Sequence, residues 1–261
     1  MPDPVSDKLI CEHISVSRKQ TWNECQAKYK FRYHLKLIPD GPVQPYFTYG
    51  KLVHKIAEEY VAKQGQRPIE DITKDCLDGT IEVEKGQPPP ILDASYSKKL
   101  PVHVKNVKNL SDRIGYDGHL EWPFRVDLAP PNEHFIVGFI DRLIIRGDKY
   151  FILDYKTTKK GFWRKNSNTI RSDLQLRVYA RIVQKEFGAK AENIKAALYY
   201  LEGGDLIATN FNEESLITAE EEIHNAYKEI TSMSPDDVHG RVGDQCKRCD
   251  YRKICSWYSL T

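Results

Sequence analysis

The feature that most limits the fold is a pair of apolar segments joined by a tight turn, "HFIVGFIDRLII", "RGDK" and "YFILDYKTT". Their period-two alternation around Gly147–Asp148 is typical of a β-hairpin. A two-residue turn at that point pairs residue 146 with residue 149 and places Asp141 directly opposite Asp154. Lys156 then lies on the same face of the strand as Asp154, because side chains alternate between faces.

Opposed carboxylates repel each other, so the fold needs something that offsets the repulsion. A divalent cation bound by oxygens of Asp141 and Asp154 does so, because hard cations prefer carboxylate ligands. On this interpretation, replacing Asp141 by alanine relieves the repulsion and stabilises the metal-free protein. The alternative is an edge-strand salt bridge in which Lys156 neutralises one aspartate. A register shift of one residue would separate the two carboxylates.

Elsewhere in the chain, strands alternate with helices, which predicts a layered α/β domain. Helices are predicted from a Ser15 or Ser17 cap to residue 37, then over residues 49–65, 104–114, 172–188 and 213–231. Further strands are predicted at 119–128 and in a second hairpin over 194–211. We expect one domain over 1–261, divided into N-terminal helices (15–60), a variable insertion (61–120), a catalytic core (121–211) and a C-terminal helix with a cysteine-rich tail (212–261).

The net charge is +2, so any nucleic-acid-binding surface must be a local basic patch. Hydrophobic residues make up 40% of the chain, which is enough for a substantial core. The sequence contains neither an apolar run of membrane-spanning length nor a signal-peptide core, so we expect a cytoplasmic protein without membrane contact.

The six cysteines are too few and too unevenly spaced for a secreted disulfide framework. Three of them form a C-x2-C-x5-C pattern near the C-terminus. Three thiolates do not complete a tetrahedral site, which makes Cys25 the candidate fourth ligand. Zinc, an iron–sulfur cluster and unligated thiols are all open interpretations at this point. Cys11 and Cys76 fit no ligand pattern and are expected to be core thiols.

The hairpin residues resemble the core motif of the PD-(D/E)xK nuclease superfamily, and in particular its RecB-type branch. The resemblance rests on Gly138, Asp141 and the tripeptide Asp154–Tyr155–Lys156. It implies a three-layer, restriction-endonuclease-like core with a central mixed β-sheet flanked by helices. It also implies that both aspartates and the Tyr155 carbonyl bind Mg²⁺ or Mn²⁺, and that Lys156 stabilises charge on the phosphate.

Two further elements match this branch. In "YGKLVHKIAEEY", Gly50 precedes a metal-binding histidine, His54, by four residues. In "DLQLRVYAR", Gln175 and Tyr179 match an element that contacts substrate and supports the lysine. Locally, His54 could be a structural histidine, and Ser172 with Gln175 could form a capping box. Glu121 is a candidate additional acid or, alternatively, an exposed strand residue.

The segment that follows Lys156 is basic, contains no acidic residue and carries two aromatic rings. Basic side chains bind phosphates and aromatic rings stack on unpaired bases, whereas a solvated loop is the simpler alternative. The candidate nucleic-acid-binding residues are Lys159, Lys160, Trp163, Arg164 and Lys165.

One group of RecB-type nucleases has a cysteine before the nuclease core and three after it. This group includes CRISPR-associated adaptation exonucleases and nuclease subunits of helicase–nuclease complexes. The resemblance implies a 4Fe–4S cluster that ties the N- and C-terminal segments together, with zinc as the alternative. Its ligands would be Cys25, Cys246, Cys249 and Cys255.

Taken together, the motifs predict a metal-dependent DNA nuclease, by resemblance an exonuclease acting on ends or single strands. A helicase, a recombinase or a CRISPR integrase is the kind of protein partner implied. Three alternatives are open: a DNA-binding or scaffold module without catalysis, a polypeptide that cleaves only beside its partner, and an RNA nuclease.

Overall fold

The predicted hairpin supplies two inner strands of the β-sheet. In the computed structural model, strand β2 (Phe135–Arg146) pairs antiparallel with β3 (Lys149–Lys156). The ladder runs from Arg146 with Lys149 to Arg142 with Leu153, which confirms the predicted register for these pairs. Gly147 has φ 61°, a left-handed conformation that glycine adopts without strain at the start of a hairpin turn. The structure describes residues 7–39, 45–127, 134–158 and 164–259.

Three more strands complete a five-stranded mixed sheet of order β1-β2-β3-β4-β5. They are β1 (His119–Asp127), β4 (Ile194–Tyr200) and β5 (Asp205–Asn210). β4 is parallel to β3 and antiparallel to β5. The connection from β3 to β4 contains helix α6 (Leu174–Phe187), as a parallel crossover requires. β3 is therefore a central strand, not an edge strand.

Helices cover both faces of this sheet. On one face, Leu153 and Tyr155 belong to a core that they share with apolar residues of three helices. On the other face, Lys156 contacts α6 through Gln175. This arrangement confirms the predicted α/β core with a central mixed sheet. The three helices of the first face are α3 (Pro45–Ala62), α4 (Ile69–Asp78) and α5 (Ala94–Ile114).

Two helix predictions need correction. Helix α5 has 21 residues, so the short helix predicted over 104–114 is only its second half. The single N-terminal helix is broken at Cys25, whose backbone is extended (φ −167°) between α1 (Val16–Glu24) and α2 (Gln26–Tyr29). The sequence contains no glycine or proline at that position to signal the break. The predicted Ser15 cap is confirmed, since its hydroxyl accepts from the Arg18 amide at 3.2 Å.

The C-terminal part begins with helix α7 (Glu213–Ser232). Short 3₁₀ turns at Asp244–Arg248 and Arg252–Ile254 follow, and helix α8 (Ser256–Ser259) comes last. Across the described part of the chain, no helix combines the length and the apolar character that a bilayer crossing needs.

Internal contacts group the chain into two compact units. One unit comprises residues 43–123 and 139–216, and it contains α3 to α6 and most of the sheet. The other comprises residues 1–42, 124–138 and 217–261, and it contains the four cysteines of the predicted cluster. Each predicted site therefore lies within a single unit.

Candidate active site

The ladder of β2 with β3 ends at the pair Arg142 and Leu153. Beyond this pair, the side chain of Asp141 accepts a hydrogen bond from the backbone of β3. The Tyr155 amide donates to Asp141 Oδ2 at 2.7 Å. The Asp141 side chain is 11% exposed, so this carboxylate is fixed by a backbone group inside the protein. A hydrogen bond to an ionised acceptor is stronger than a neutral one.

His54 brings a nitrogen ligand to the same point from helix α3. Its Nε2 lies 3.1 Å from the Tyr155 carbonyl oxygen and donates to it. Its Nδ1 lies 3.5 Å from Asp141 Oδ2 and 3.9 Å from Glu121 Oε1. One donor atom from each of His54, Glu121 and Asp141 lies within 4.8 Å of the others, so these three residues could hold one metal ion.

Glu121 reaches this group through an unusual backbone conformation. Its φ is 42°, in the left-handed region that residues with a side chain rarely adopt. Such strain persists where the surrounding structure enforces it, and it is common at functional sites. The side chain is 37% exposed, so Glu121 lies at the mouth of the site rather than on the outer surface.

Asp154 lies on β3, next to the last residue of the ladder with β2, and its ion-pair partner differs from that of Asp141. Its side chain is 2% exposed, and the Lys156 ammonium lies 2.6 Å from its Oδ2. Asp154 is not a member of the three-donor group formed by the described residues. The predicted salt bridge with Lys156 therefore exists, but on the central strand instead of an edge. Lys156 and His54 lie beside the two aspartates and offset part of their repulsion. These contacts favour the opposite expectation, that removing Asp141 destabilises the metal-free protein.

Helix α6 holds the lysine from the other side. Lys156 Nζ donates to Gln175 Oε1 at 3.0 Å, and Gln175 Nε2 donates to the Tyr179 hydroxyl at 2.7 Å. The helix is capped by Asp173, whose carboxylate accepts from the Leu176 amide. The capping-box alternative for Gln175 is therefore wrong, and its side chain is available to orient Lys156.

Mutual proximity shifts the pKa of each group in the site. Burial by itself lowers the pKa of His54, but the Asp141 carboxylate more than compensates and the result is a pKa of about 9. Burial opposes ionisation of Asp141, yet His54 beside it holds the pKa of that carboxyl below its usual range. Burial raises the pKa of Glu121 to about 7 and also raises the pKa of Asp154. Burial alone would lower the pKa of Lys156, but the Asp154 carboxylate raises it.

The basic segment is described only in part. Lys159, Lys160 and Trp163 lie outside the described residues. The Arg164 guanidinium pairs with Asp205 at 2.6 Å and lies 4.5 Å from the centre of the Tyr200 ring. The Lys165 amide donates to the Tyr200 hydroxyl at 2.8 Å. Residues 164 and 165 are thus bound to strands β4 and β5 of the sheet. The Arg164 guanidinium already has partners within the protein.

The four cysteines of the predicted cluster line one cavity in their own unit. All four are intermediate in burial, and Cys25 Sγ accepts from the Arg241 amide at 3.4 Å. Among the described residues, no three of their sulfur atoms lie within 4.8 Å of one another. Cys11 and Cys76 are buried in the core, as predicted.

Arg142 is a supporting residue that sequence reasoning missed. It is fully buried, and its guanidinium donates to the Gly115 and Asp117 carbonyl oxygens at 2.7 to 3.1 Å. These carbonyls belong to the turn that leads into β1, so Arg142 fixes the approach to Glu121. The available signal was a second charged residue, directly after Asp141, in a largely apolar strand.

Comparisons with known proteins bear on the family and on the fold of this chain. The sequence profile of the PD-(D/E)XK nuclease superfamily matches residues 13–256. One subunit of the ATP-dependent helicase/nuclease of Pelotomaculum thermopropionicum is 40% identical over 80 residues, which is 30% of this chain and 6% of that protein. This chain therefore aligns with only a small part of that relative. A crystal structure of a candidate exonuclease from Eubacterium rectale shares the fold at 15% identity and a TM-score of 0.55, over 96% of this chain and 93% of that chain.

Proposed function

The chain belongs to the PD-(D/E)XK nuclease superfamily, and from that premise we propose that it is a divalent-metal-dependent DNA nuclease. We propose further that it is an exonuclease acting on ends or single strands. The observation that carries this proposal is the placement of the His54, Glu121 and Asp141 donors within 4.8 Å of one another, beside the buried Asp154–Lys156 pair.

The residues of this group fit Mg²⁺ or Mn²⁺. One imidazole nitrogen with two carboxylates is a mixed donor set, which suits Mn²⁺ at least as well as Mg²⁺. Asp154 and the Tyr155 carbonyl oxygen complete the ligand set that we propose, and the His54 nitrogen already contacts that carbonyl. When bound, such an ion lowers the pKa of water and polarises the phosphate.

In the proposed reaction, Lys156 is the positively charged side chain that faces the scissile phosphate. Its raised pKa keeps the ammonium protonated, and Gln175 and Tyr179 hold it in one orientation. A fixed cation beside the scissile phosphate stabilises the negative charge that grows there in the transition state. Asp154 would exchange its contact with Lys156 for the ion, leaving the ammonium directed at the substrate.

For the cysteine cavity we propose a 4Fe–4S cluster with a structural role. Its ligands would be Cys25, Cys246, Cys249 and Cys255, the four cysteines that line that cavity. The alternative, zinc with four thiolates, needs sulfur atoms only about 3.8 Å apart. The colour and the iron and zinc content of the purified protein distinguish the two groups.

A second candidate function is a nuclease polypeptide that needs a partner such as a helicase. It is favoured by the 80-residue match to a protein of a helicase/nuclease. In that case the isolated chain would bind nucleic acid and metal but cleave slowly. Comparing its rate alone and beside candidate partners separates the two functions.

The deciding experiment is digestion of end-labelled single-stranded DNA, double-stranded DNA and RNA with Mg²⁺ and with Mn²⁺. We expect metal-dependent shortening of DNA from an end, and none with a Lys156→Ala variant. Internal cleavage would contradict an exonuclease, and preferred RNA cleavage would contradict a DNA nuclease. The absence of cleavage with either metal, with every candidate partner supplied, would refute the proposal.

A further inference from the structure

A groove leads away from the candidate metal group along helix α3. It has a volume of about 420 Å³, and its lining includes His54 and Glu121, with Lys55 and Glu58 on the C-terminal side of His54. On the N-terminal side of His54, the lining includes Tyr46, Phe47 and Gly50. None of these three takes part in the chemistry assigned to the metal group, so the groove needs a separate explanation.

The far end of the groove carries two exposed aromatic rings. Tyr46 is 48% exposed and Phe47 is 44% exposed, and their ring centroids lie 4.3 Å apart. Single exposed apolar residues are ordinary on protein surfaces. An adjacent exposed pair inside a groove that opens on a candidate active site is a more specific feature.

Gly50 keeps the middle of this groove open. A Cβ atom at that position would have nothing within 4 Å, and the backbone φ of Gly50 is not in the left-handed region. Neither packing nor backbone conformation requires glycine there, although glycine destabilises a helix relative to alanine. The fold of this chain therefore does not explain why residue 50 is a glycine.

Helix geometry sets the distance from the rings to the metal group. Residues 47, 50, 51 and 54 share one helix face, because their spacing follows the helical repeat. With a rise of 1.5 Å per residue, the rings begin about 11 Å from His54 along the helix axis. Successive nucleotides of a stacked strand are about 3.4 Å apart, so this distance corresponds to roughly three nucleotides.

The groove lining carries charges of both signs, and Lys55 is paired with Glu58 at 3.0 Å. Lys51 lies between the rings and His54, is 49% exposed, and pairs with Glu84 at 2.6 Å. Exposed pairs of this kind contribute little to stability, so the ammonium can exchange Glu84 for a phosphate at low cost.

We propose that Tyr46 and Phe47 stack on an unpaired nucleobase of the substrate strand, about three nucleotides from the phosphate at the metal group, with Lys51 on the intervening backbone. This inference rests on the proposed nuclease function and specifies its substrate: a strand that is single-stranded over at least its last few nucleotides. Paired bases are stacked within a duplex and cannot place a base face on these rings.

The test combines protein variants with DNA that lacks one base at a time. Binding of single-stranded oligonucleotides, each with one abasic nucleotide at a successive position, is measured in a Lys156→Ala background so that the DNA stays intact. Tyr46→Ala with Phe47→Ala should weaken binding to the complete strand by roughly 5- to 150-fold. Ile91→Ala, at a 95% exposed position of the same unit, is the matched control and should bind like the background protein.

The abasic series identifies a stacked base specifically. The background protein should lose affinity at one position of the series, and the double-alanine variant should be insensitive at that position, because residues in contact are not additive. Tyr46→Phe with Phe47→Tyr keeps both rings and should restore binding. Gly50→Leu should weaken binding while raising the melting temperature, because it fills the groove and removes a helical glycine.

The outcomes separate this inference from the proposed function. If wild-type protein cleaves DNA but the double-alanine variant binds like Ile91→Ala, the stacking site is refuted and the nuclease function stands. Equal sensitivity to a missing base at every position would also refute it, as would a groove that binds only a protein partner. If wild-type protein neither binds nor cleaves nucleic acid, both proposals fail.

Discussion

The metal group in the sheet and the cysteine cavity are constructed differently. At the metal group, Asp141 is fixed by the Tyr155 amide and His54 by the Tyr155 carbonyl, so one residue of a central strand positions two ligands. Three of the four cysteines instead lie beside or within short 3₁₀ turns, Cys25 lies between two helices, and all four are only half-buried. Their sulfur atoms are not gathered, in the part of the chain that is described, as closely as the donors of the metal group.

The metal group is therefore preorganised, whereas the cysteine cavity needs its ligand to bring the four sulfur atoms into place. Donors fixed by strand and helix hydrogen bonds hold their geometry before the metal arrives, which favours catalysis. Ligands on turns gain their geometry from the group that they bind, so binding energy becomes folding energy. We therefore expect loss of the catalytic metal to change activity and loss of the cysteine-bound group to change stability.

The largest expected effect follows from removing the cysteine-bound cluster that we propose. A Cys249→Ser variant should lose iron and its brown colour, and its free energy of unfolding should fall. Cross-linking Cys25 to Cys246 closes a loop of more than 200 residues, for which chain entropy gives an upper value of about 5 kcal/mol. Melting temperature and iron content measure the effect, with Cys76→Ala as a control that keeps its colour. Colourless wild-type protein containing zinc would contradict the iron–sulfur proposal.

The next largest effect is on catalysis. Lys156→Ala should reduce cleavage by at least about 10³-fold, because a positioned charge at the transition state is lost. Binding of DNA should change by only a few fold. Lys149→Ala, an exposed lysine on the same strand, is the matched control and should cleave normally. Unchanged cleavage by the Lys156 variant would refute its role.

A smaller effect tests whether the metal group is preorganised. Asp141→Ala should lower the free energy of unfolding of the metal-free protein by about 1.5–3 kcal/mol, because the Tyr155 amide loses an ionised acceptor. Denaturant unfolding in a chelator measures it. Asp148→Asn, at the exposed turn of the same hairpin, should have little effect. A more stable Asp141 variant would instead support the expectation that repulsion between Asp141 and Asp154 destabilises the metal-free protein.

The smallest effect concerns pH. The pKa values of His54 and Glu121, about 9 and about 7, are raised from 6.5 and 4.5. The folded metal-free protein therefore binds protons that the unfolded chain releases, and this stabilisation is lost as pH rises through 7 and then 9. Metal ligands must be deprotonated, so Mn²⁺ should raise the melting temperature more at pH 9 than at pH 6. A His54→Gln variant should lose the upper part of this dependence, and a metal-induced shift that is independent of pH would contradict it.

Local signals were sufficient to predict the hairpin. Alternation and Gly147 determined the register as far as Arg142 with Leu153, because both act between neighbouring residues. The break at Cys25 could not be predicted, since nothing in "NECQAK" disfavours a helix. The Lys156 salt bridge with Asp154 was among the alternatives drawn from the sequence, because both residues lie on one strand. The contact of Lys156 with Gln175 depends on tertiary structure, since it forms only when α6 packs on the sheet, and the sequence suggested it only through the resemblance.

Glu121 illustrates a different limit. Its strained φ and its approach to His54 depend on the turn at residues 115–118, which Arg142 holds from the neighbouring strand. No short window of sequence contains both partners. Sequence alone therefore left its role undecided, whereas the structure places its carboxylate among the donors.

The buried Arg142 has an evolutionary consequence. Its guanidinium spans a fixed distance to two carbonyls, and Gly118 lies so close that a Cβ there would approach the Leu143 oxygen to 2.8 Å. An insertion or deletion between Gly115 and Gly118 would leave a cation stranded in the protein interior. Natural length variation should therefore accumulate in other surface loops, while this turn and its arginine are inherited or lost together.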